Sequence, residues 1–382
     1  MIYEGIERNL DNIKEVRDQV IVSHILGPKV TIRGNNNHEY RVEFIDKKNN
    51  FVIYQSNIKT NHWSKANVQY FTDWRIRVWK DNELFHQEDY NAEDKRVYIS
   101  LSSSAIGDTL AWFPYAEKFK EKHNCELIVS TFHNDLFEER YPDIEFVKPG
   151  QTVENIYAQY SIGFFYNEDD TINIYKNPQD PKTIPMQQVA TDILGLEYEE
   201  VKPRIKKTKQ RKKPDLVTIA IHGTTQAKYW NNSNGWNEVV AYLKCRGYRV
   251  KLLSREGDGY MGNSHPKGLE QLPEGSLENV VKELRQSKFF IGIGSGLAWL
   301  SWAVGTPTVM ISGFSEGWTE MKDCIRIEAP EGKCSGCFNR VRLDAGDWNW
   351  CPEHKGTDRQ FECTKSITGQ DVINKLIARE LV

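Results

Sequence analysis

The stretch KFFIGIGSGLAWLSWAVGTPTVMIS, Lys288 to Ser312, decides the architecture. KFFIGIGSG is an apolar run of strand length ending in glycine and serine, LAWLSWAVG has the length and composition of a helix, and TPTVMIS reads as a further strand. Strand, loop, helix and strand in that order are the unit of a parallel α/β layer. The same pattern runs back to LVTIAIH (Leu216 to His222). Between lie the helix GWNEVVAYLKCRG, stopped by Gly247, the strand YRVKLLS and the helix SLENVVKELRQS. A second block lies upstream. It has a strand RVYISL from Arg96 to Leu101, a small-residue loop SSSAIGD, and a helical TLAWFPYAEKFKEKH that continues despite Pro114. Strands CELIVST and DIEFV follow, then a helix PMQQVATDILGL stopped by Gly195. The two blocks predict two lobes facing a cleft, with ligands at the carboxyl ends of the strands.

Between the blocks, VKPRIKKTKQRKKPD carries eight Lys or Arg residues from Lys202 to Lys213. It reads as a solvated linker. A polyanion contact is the sharper alternative, but the interleaved aromatics that would support it are missing. Upstream of Arg96, after a short helical start, KVTIRG, EYRVEFID, NFVIYQSNI, DWRIRVWK and ELFHQEDY alternate apolar and polar residues, with DKKNN and KDN as turns. That pattern predicts hairpins in a small antiparallel sheet or barrel. At the other end SITGQDVINKLIARELV is an amphipathic helix. The expected division is 1–96 for the β-rich domain, 97–213 for one Rossmann-like lobe with its linker and 214–330 for the other. A cysteine finger at 331–366 and a terminal helix at 367–382 complete it.

Composition excludes several classes. Of 382 residues, 39% are hydrophobic and 27% charged, which is ordinary for a folded soluble chain. A net charge of −3 gives no global pull toward nucleic acid or membrane. No apolar run approaches the roughly 20 residues needed to span a bilayer. MIYEGIERNLDNIKEVRDQ lacks the apolar core of a signal peptide, so a cytoplasmic location is expected.

Three loops at strand ends in the second block carry phosphate-binding chemistry. HGTTQAKYW offers the hydroxyls of Thr224 and Thr225, the Gln226 amide and the Lys228 ammonium, a set that can stabilise a departing diphosphate without a metal. In SREGDGY, Glu256 can accept from a ribose or a base. In GIGSGLAWL, Ser295, Gly296 and Leu297 open a helix whose free N–H groups can approach phosphate. Each loop alone is as readily an ordinary turn; their convergence on one lobe favours function. In the first block Asp108 follows Gly107. A carboxylate there can take the proton of an incoming hydroxyl. Asp is also a preferred helix N-cap, and residue chemistry alone puts the cap ahead of the base.

CSGCFNRVRLDAGDWNWCPEHKGTDRQFEC holds Cys334, Cys337, Cys351 and Cys363 in a Cys-x2-Cys-x13-Cys-x11-Cys pattern. Four thiolates with a leading CxxC fit a tetrahedral structural metal. The spacing favours zinc, while iron also suits four sulfurs. His354 could replace one cysteine.

These segments together resemble the bacterial autotransporter heptosyltransferases, relatives of the lipopolysaccharide heptosyltransferases of glycosyltransferase family 9. The resemblance covers nearly the whole chain. It is carried by EYRVEFID, NHWSKAN and FTDWRIRV, by SLSSSAIGDTLAWFPY, by IHGTTQAKYWNN and GSGLAWLSWAVGTPTVMISGF, and by the cysteine segment ending in FECTKSIT. It implies a GT-B fold and inverting transfer of heptose from ADP-heptose to serine hydroxyls of an autotransporter passenger. Asp108 would be the base, contrary to the cap reading. Thr224, Thr225 and Lys228 would bind phosphate, and Ser295, Gly296 and Leu297 would lie near nucleotide and sugar. It also implies iron in the cysteine finger and assembly into a dodecamer. Transfer to lipopolysaccharide or another surface glycan is the alternative. Gly294 and Trp299 stand where the lipopolysaccharide enzymes usually have an acidic residue and a histidine.

Overall fold

The computed structural model describes residues 18–35, 37–208, 210–272 and 276–382. The short helical start lies outside these residues. Strands β1 (Gln19–Ile25), β2 (Lys29–Arg33), β3 (Glu39–Asp46), β4 (Phe51–Lys59), β5 (Trp63–Lys65), β6 (Trp74–Lys80) and β7 (Glu83–Asp89) come first. Then follow β8 (Arg96–Leu101), α1 (Ile106–His123), β9 (Glu126–Ser130), β10 (Glu145–Val147), β11 (Ala158–Ile162) and α2 (Gln188–Leu194). The second block contributes β12 (Leu216–Ala220), α3 (Gly235–Cys245), β13 (Arg249–Leu252), β14 (Glu270–Gln271), α4 (Leu277–Gln286), β15 (Phe289–Ile293), α5 (Gly296–Ala303), β16 (Thr308–Ile311) and β17 (Ile325–Ile327). The chain closes with α6 (Glu362–Lys365) and α7 (Gly369–Ala378).

The first lobe departs from the expected division. Its sheet runs β10-β9-β8-β11-β1-β2-β5, so three N-terminal strands belong to it. β1 pairs parallel to β11, His24 against Ala158, and then turns into the antiparallel β2 and β5. The expected boundary at residue 96 is therefore crossed by the sheet. The remaining strands form an open four-stranded antiparallel sheet, β4-β3-β6-β7, and not a barrel. Tyr40, Val42 and Phe44 of β3 and Trp74, Ile76 and Val78 of β6 are buried in alternation. They join one core with Val97, Ile99, Leu110 and Phe119. A sheet of this size has one apolar face to cover, and the neighbouring lobe covers it.

Helix α1 continues through Pro114. Proline inside a helix costs about 3 kcal/mol. Trp112, Phe113, Tyr115 and Phe119 around it are wholly buried, and each such side chain contributes roughly 1.5–3 kcal/mol. Burial wins. The helix ends at Asn124 in the left-handed region, with Lys120 and Lys122 matched to the negative end of its dipole.

The second lobe is a six-stranded parallel sheet in the order β14-β13-β12-β15-β16-β17. Helix α7, opened by a Thr368–Asp371 capping box, buries Val372, Ile373 and Leu376 in this lobe's core. The basic segment between the lobes is matched locally. Lys202 pairs with Asp323 at 3.0 Å, Arg204 with Glu117, and Lys206 with Glu139 at 3.5 Å. Among the described residues no helix is long and apolar enough to cross a membrane.

Candidate active site

Two helix N-termini, one from each lobe, meet at the lobe junction. The space where Gly107 of α1 would carry a Cβ is bounded by Trp299 Cδ1 at 3.2 Å and Gly296 Cα at 3.4 Å. A Cβ on Gly296 would collide with Ile106 and lie 3.1 Å from the Gly107 nitrogen. Glycine at both positions lets the helix ends approach.

Asp108 lies in the first turn of α1, three residues past the N-cap. The cap itself is Ala105, which has no capping side chain. The Ala105 N–H donates instead to Ser103 Oγ at 3.1 Å. The cap role that residue chemistry favoured for Asp108 is thus wrong: the helix begins earlier, at Ile106. Its carboxyl is left free of capping. Burial pushes the Asp108 carboxyl above its ordinary range, opposed by a hydrogen bond from Ser103 and by the charge of Lys228. Burial lowers the Lys228 ammonium in turn, and the charge of Asp108 opposes that. Each group thus feels the other across the junction, and the charge of each opposes part of the shift that burial imposes on its partner.

Lys228 closes a 3₁₀ turn, Gln226–Lys228. Its Nζ is 3.3 Å from Thr224 Oγ1 and 5.2 Å from the Phe314 ring centre. The other two residues expected in this loop are turned to the protein. Thr225 Oγ1 donates to the Trp348 carbonyl at 3.1 Å, and the Gln226 N–H donates to the same oxygen at 3.0 Å. The Gln226 amide donates to Asn231 Oδ1 at 2.6 Å and accepts from Asn263 Nδ2 at 3.1 Å. Thr224 and Lys228 therefore remain for a ligand, while Thr225 and Gln226 hold the turn.

Ser295 is the N-cap of α5, and its Oγ is buried without a hydrogen-bond partner. Gly296 and Leu297 are the first two helical residues, so their N–H groups have no carbonyl within the helix. An orphaned hydroxyl beside two free N–H groups is suited to an anion. Gly294, just before, lies against a carboxylate from elsewhere: Glu320 Oε1 is 3.2 Å from its Cβ position. Glu320 is buried, accepts from Ser315 Oγ at 2.7 Å and pairs with Arg326. A carboxylate from beyond β16 thus lies beside Gly294.

Glu256 lies past the end of β13, where its Oε2 accepts from Ser254 Oγ at 3.0 Å and stands 3.8 Å from His222 Nδ1. Sequence reading does not single out Ser103, Ser254, Phe314 or Trp348, although each lies within a segment quoted above, and Glu320 lies outside all of them.

The cysteine segment packs directly behind the Lys228 turn. Ala227, Phe314, Cys337, Trp350, Cys351 and Phe361 form one small core. All four cysteines of the segment are unpaired thiols, three of them buried. Burial, and then the Glu353 carboxylate, raises Cys337 to about 11; burial, and then the neighbouring thiols of Cys334 and Cys337, raises Cys363 to about 12. Cations that displace the thiol protons relieve both effects, so the donor chemistry fits a soft metal. The tightest group differs from the four-sulfur set. Among the described residues one trio, Cys334, His354 and Glu362, brings its ligand atoms within 4.8 Å of one another. Hydrogen bonds from Arg359 hold the Glu362 carboxyl down at about 2.

Residues 177–335 match the model of glycosyltransferase family 9 (heptosyltransferase). Autotransporter heptosyltransferase Aah of Escherichia coli is 39% identical over 346 residues, covering 87% of each chain. The crystal structure of iron-containing dodecameric glycosyltransferase TibC, from enterotoxigenic E. coli H10407, matches with a TM-score of 0.85. It is 33% identical and covers 95% of this chain and 96% of that one. TibC has also been solved in complex with ADP-D-beta-D-heptose. An inactive autotransporter heptosyltransferase, BimC of Burkholderia thailandensis, is 29% identical over 80% of this chain and 73% of its own length, so kinship alone does not guarantee turnover. The resemblance read from the sequence is borne out: this chain belongs to the autotransporter heptosyltransferase family.

Proposed function

We propose that this chain is a GT-B enzyme that transfers heptose from ADP-heptose to serine hydroxyls of an autotransporter-type protein, with inversion. The observation that carries the reading is the close approach of the α1 and α5 N-termini, Gly107 against Gly296, which brings Asp108 of one lobe to the unpartnered Ser295 hydroxyl of the other, with Lys228 of the second lobe opposing the burial of Asp108. The acceptor oxygen attacks the anomeric carbon while its proton passes to the Asp108 carboxylate. The bond from that carbon to the diphosphate breaks, and its electrons leave with ADP. Lys228, Thr224, Ser295 and the free N–H groups of Gly296 and Leu297 meet the growing charge on the diphosphate. One displacement of this kind inverts the anomeric centre. A purified acceptor passenger incubated with ADP-heptose tests the reading against transfer to a truncated lipopolysaccharide core, and modification of the core alone would overturn it.

The acid limb of activity should follow Asp108. The base works only when ionised, and burial raises its pKa. Transfer is therefore expected to fall as pH drops through a value above the ordinary aspartate pKa of about 3.9. A kcat–pH profile that stays flat down to about pH 4 would contradict this.

Cys334, Cys337, Cys351 and Cys363 would hold an iron, with His354 able to replace one sulfur. The TibC structure, described as iron-containing, supports iron over the zinc that spacing suggested. The metal's role is structural: it would fix the segment whose Trp348 carbonyl secures Thr225 and Gln226. Elemental analysis should give about one metal per chain. Stripping it is expected to lower Tm by roughly 5–10 °C and to weaken ADP binding. A metal-free protein with unchanged Tm would refute the assignment. A dodecamer, as described for TibC, is the assembly expected in solution, and the cytoplasm the expected location.

A further inference from the structure

His222 lies beyond the end of β12, with its side chain only 5% exposed. The proposed mechanism makes no use of it. Its Nδ1 is 2.6 Å from Ser254 Oγ. Ser254 directs its single proton toward Glu256, whose Oε2 is 3.0 Å away and whose carbonyl is 3.2 Å away. With that proton committed, Ser254 can only accept from the imidazole, so Nδ1 carries the ring proton. Nε2 is then a bare acceptor, and it is buried without a partner. His265 is its neighbour, with ring centres 5.4 Å apart. The Nδ1 of His265 is 3.0 Å from the Gln271 amide nitrogen, which can only donate. Its proton is therefore on Nε2, which is also buried without a partner. An unpaired acceptor and an unpaired donor thus lie on adjacent rings at the carboxyl ends of parallel strands, where such sheets bind ligands. The Tyr260 ring stands edge-on to His222 at 5.9 Å and is 42% exposed, so this corner reaches the surface.

We propose that His222, with His265, reads the nucleoside of the sugar donor through a group that gives a hydrogen bond to His222 Nε2 and takes one from His265 Nε2. Glu256 acts here as a positioning residue that fixes the tautomer through Ser254. A ribose hydroxyl supplies both halves with one oxygen; the amino edge of adenine supplies them with adjacent nitrogens. The proposal rests on the ADP-sugar reading above.

Calorimetric titration of the full chain with ADP, 2′-deoxy-ADP, 3′-deoxy-ADP and inosine diphosphate tests it, in wild type and His222→Phe. Phenylalanine keeps the ring packing and removes both nitrogens. The variant is expected to bind ADP about tenfold more weakly than wild type. That penalty should vanish for one analogue, a deoxy form if ribose is read or inosine diphosphate if the base is. Equal ADP affinity in both proteins, or a penalty unchanged across all analogues, overturns the proposal. Should His222→Phe not fold, nitrogen-15 NMR of the wild-type imidazole decides: ADP must shift the His222 Nε2 resonance, and an unmoved signal overturns the idea. Wild type that fails to bind ADP overturns both this and the donor assignment. ADP binding with an indifferent His222 overturns this inference alone.

Discussion

Asp108→Asn is expected to lower transfer by about 10³-fold or more, at the upper end of what a general base contributes. Asparagine keeps the size and polarity of the side chain and can still accept from Ser103. It cannot take the acceptor's proton. ADP-sugar binding at neutral pH should persist, because the groups proposed to meet the diphosphate come from the other lobe. A secondary effect follows from the pairing. Burial already lowers the Lys228 ammonium, and Asp108 is the charge that opposes it. Without that charge Lys228 loses its proton at a lower pH, so donor affinity in Asp108→Asn should fall earlier than in wild type as pH rises. Steady-state turnover, with calorimetric titration at two pH values, checks both parts. Near-normal turnover would remove Asp108 from the mechanism.

Lys228→Ala is expected to cost about 10²–10³ in kcat, the size of losing one donor to developing charge, and to weaken ADP-sugar binding. Thr224 and the start of α5 remain, so some binding should survive. The variant carries its own signature. Lys228 holds the Asp108 carboxyl down against burial. Removing it should move the acid limb of the residual activity to higher pH. A merely structural lysine would lower rate without moving that limb, and unchanged affinity and pH profile together would contradict the assignment.

Much of this was legible in the sequence. EYRVEFID reads as a strand because Tyr40, Val42 and Phe44 alternate with polar residues, and it forms β3 over the same residues, with a register shift at Phe44/Ile45. Gly195 stops α2 in the left-handed region, as its position after an apolar helix predicts. Long-range pairing was not legible. QVIVSHI and AQYSI are short and partly polar, and nothing local says that β1 runs beside β11 across more than a hundred residues. Strands β1, β2 and β5 therefore read as part of a separate domain although they complete the sheet of the first lobe. Asp108 shows a subtler failure. SSSAIGD reads as loop and puts the helix start after it, yet Ser103 satisfies the Ala105 N–H and lets the helix begin at Ile106. The turn at Gln226–Lys228 is legible by residue type. Which of its side chains face inward depends on Trp348, more than a hundred residues away, and composition carries no trace of that contact.

The catalytic account depends on a carboxylate and an ammonium converging from separate lobes on one sugar transfer. Intact-mass analysis of an autotransporter passenger after incubation with ADP-heptose and enzyme tests it most directly. The account predicts a gain of whole heptosyl units with wild type and an unmodified passenger with Asp108→Asn. An unmodified passenger with wild type while ADP-heptose is consumed, or full modification by the variant, would contradict it.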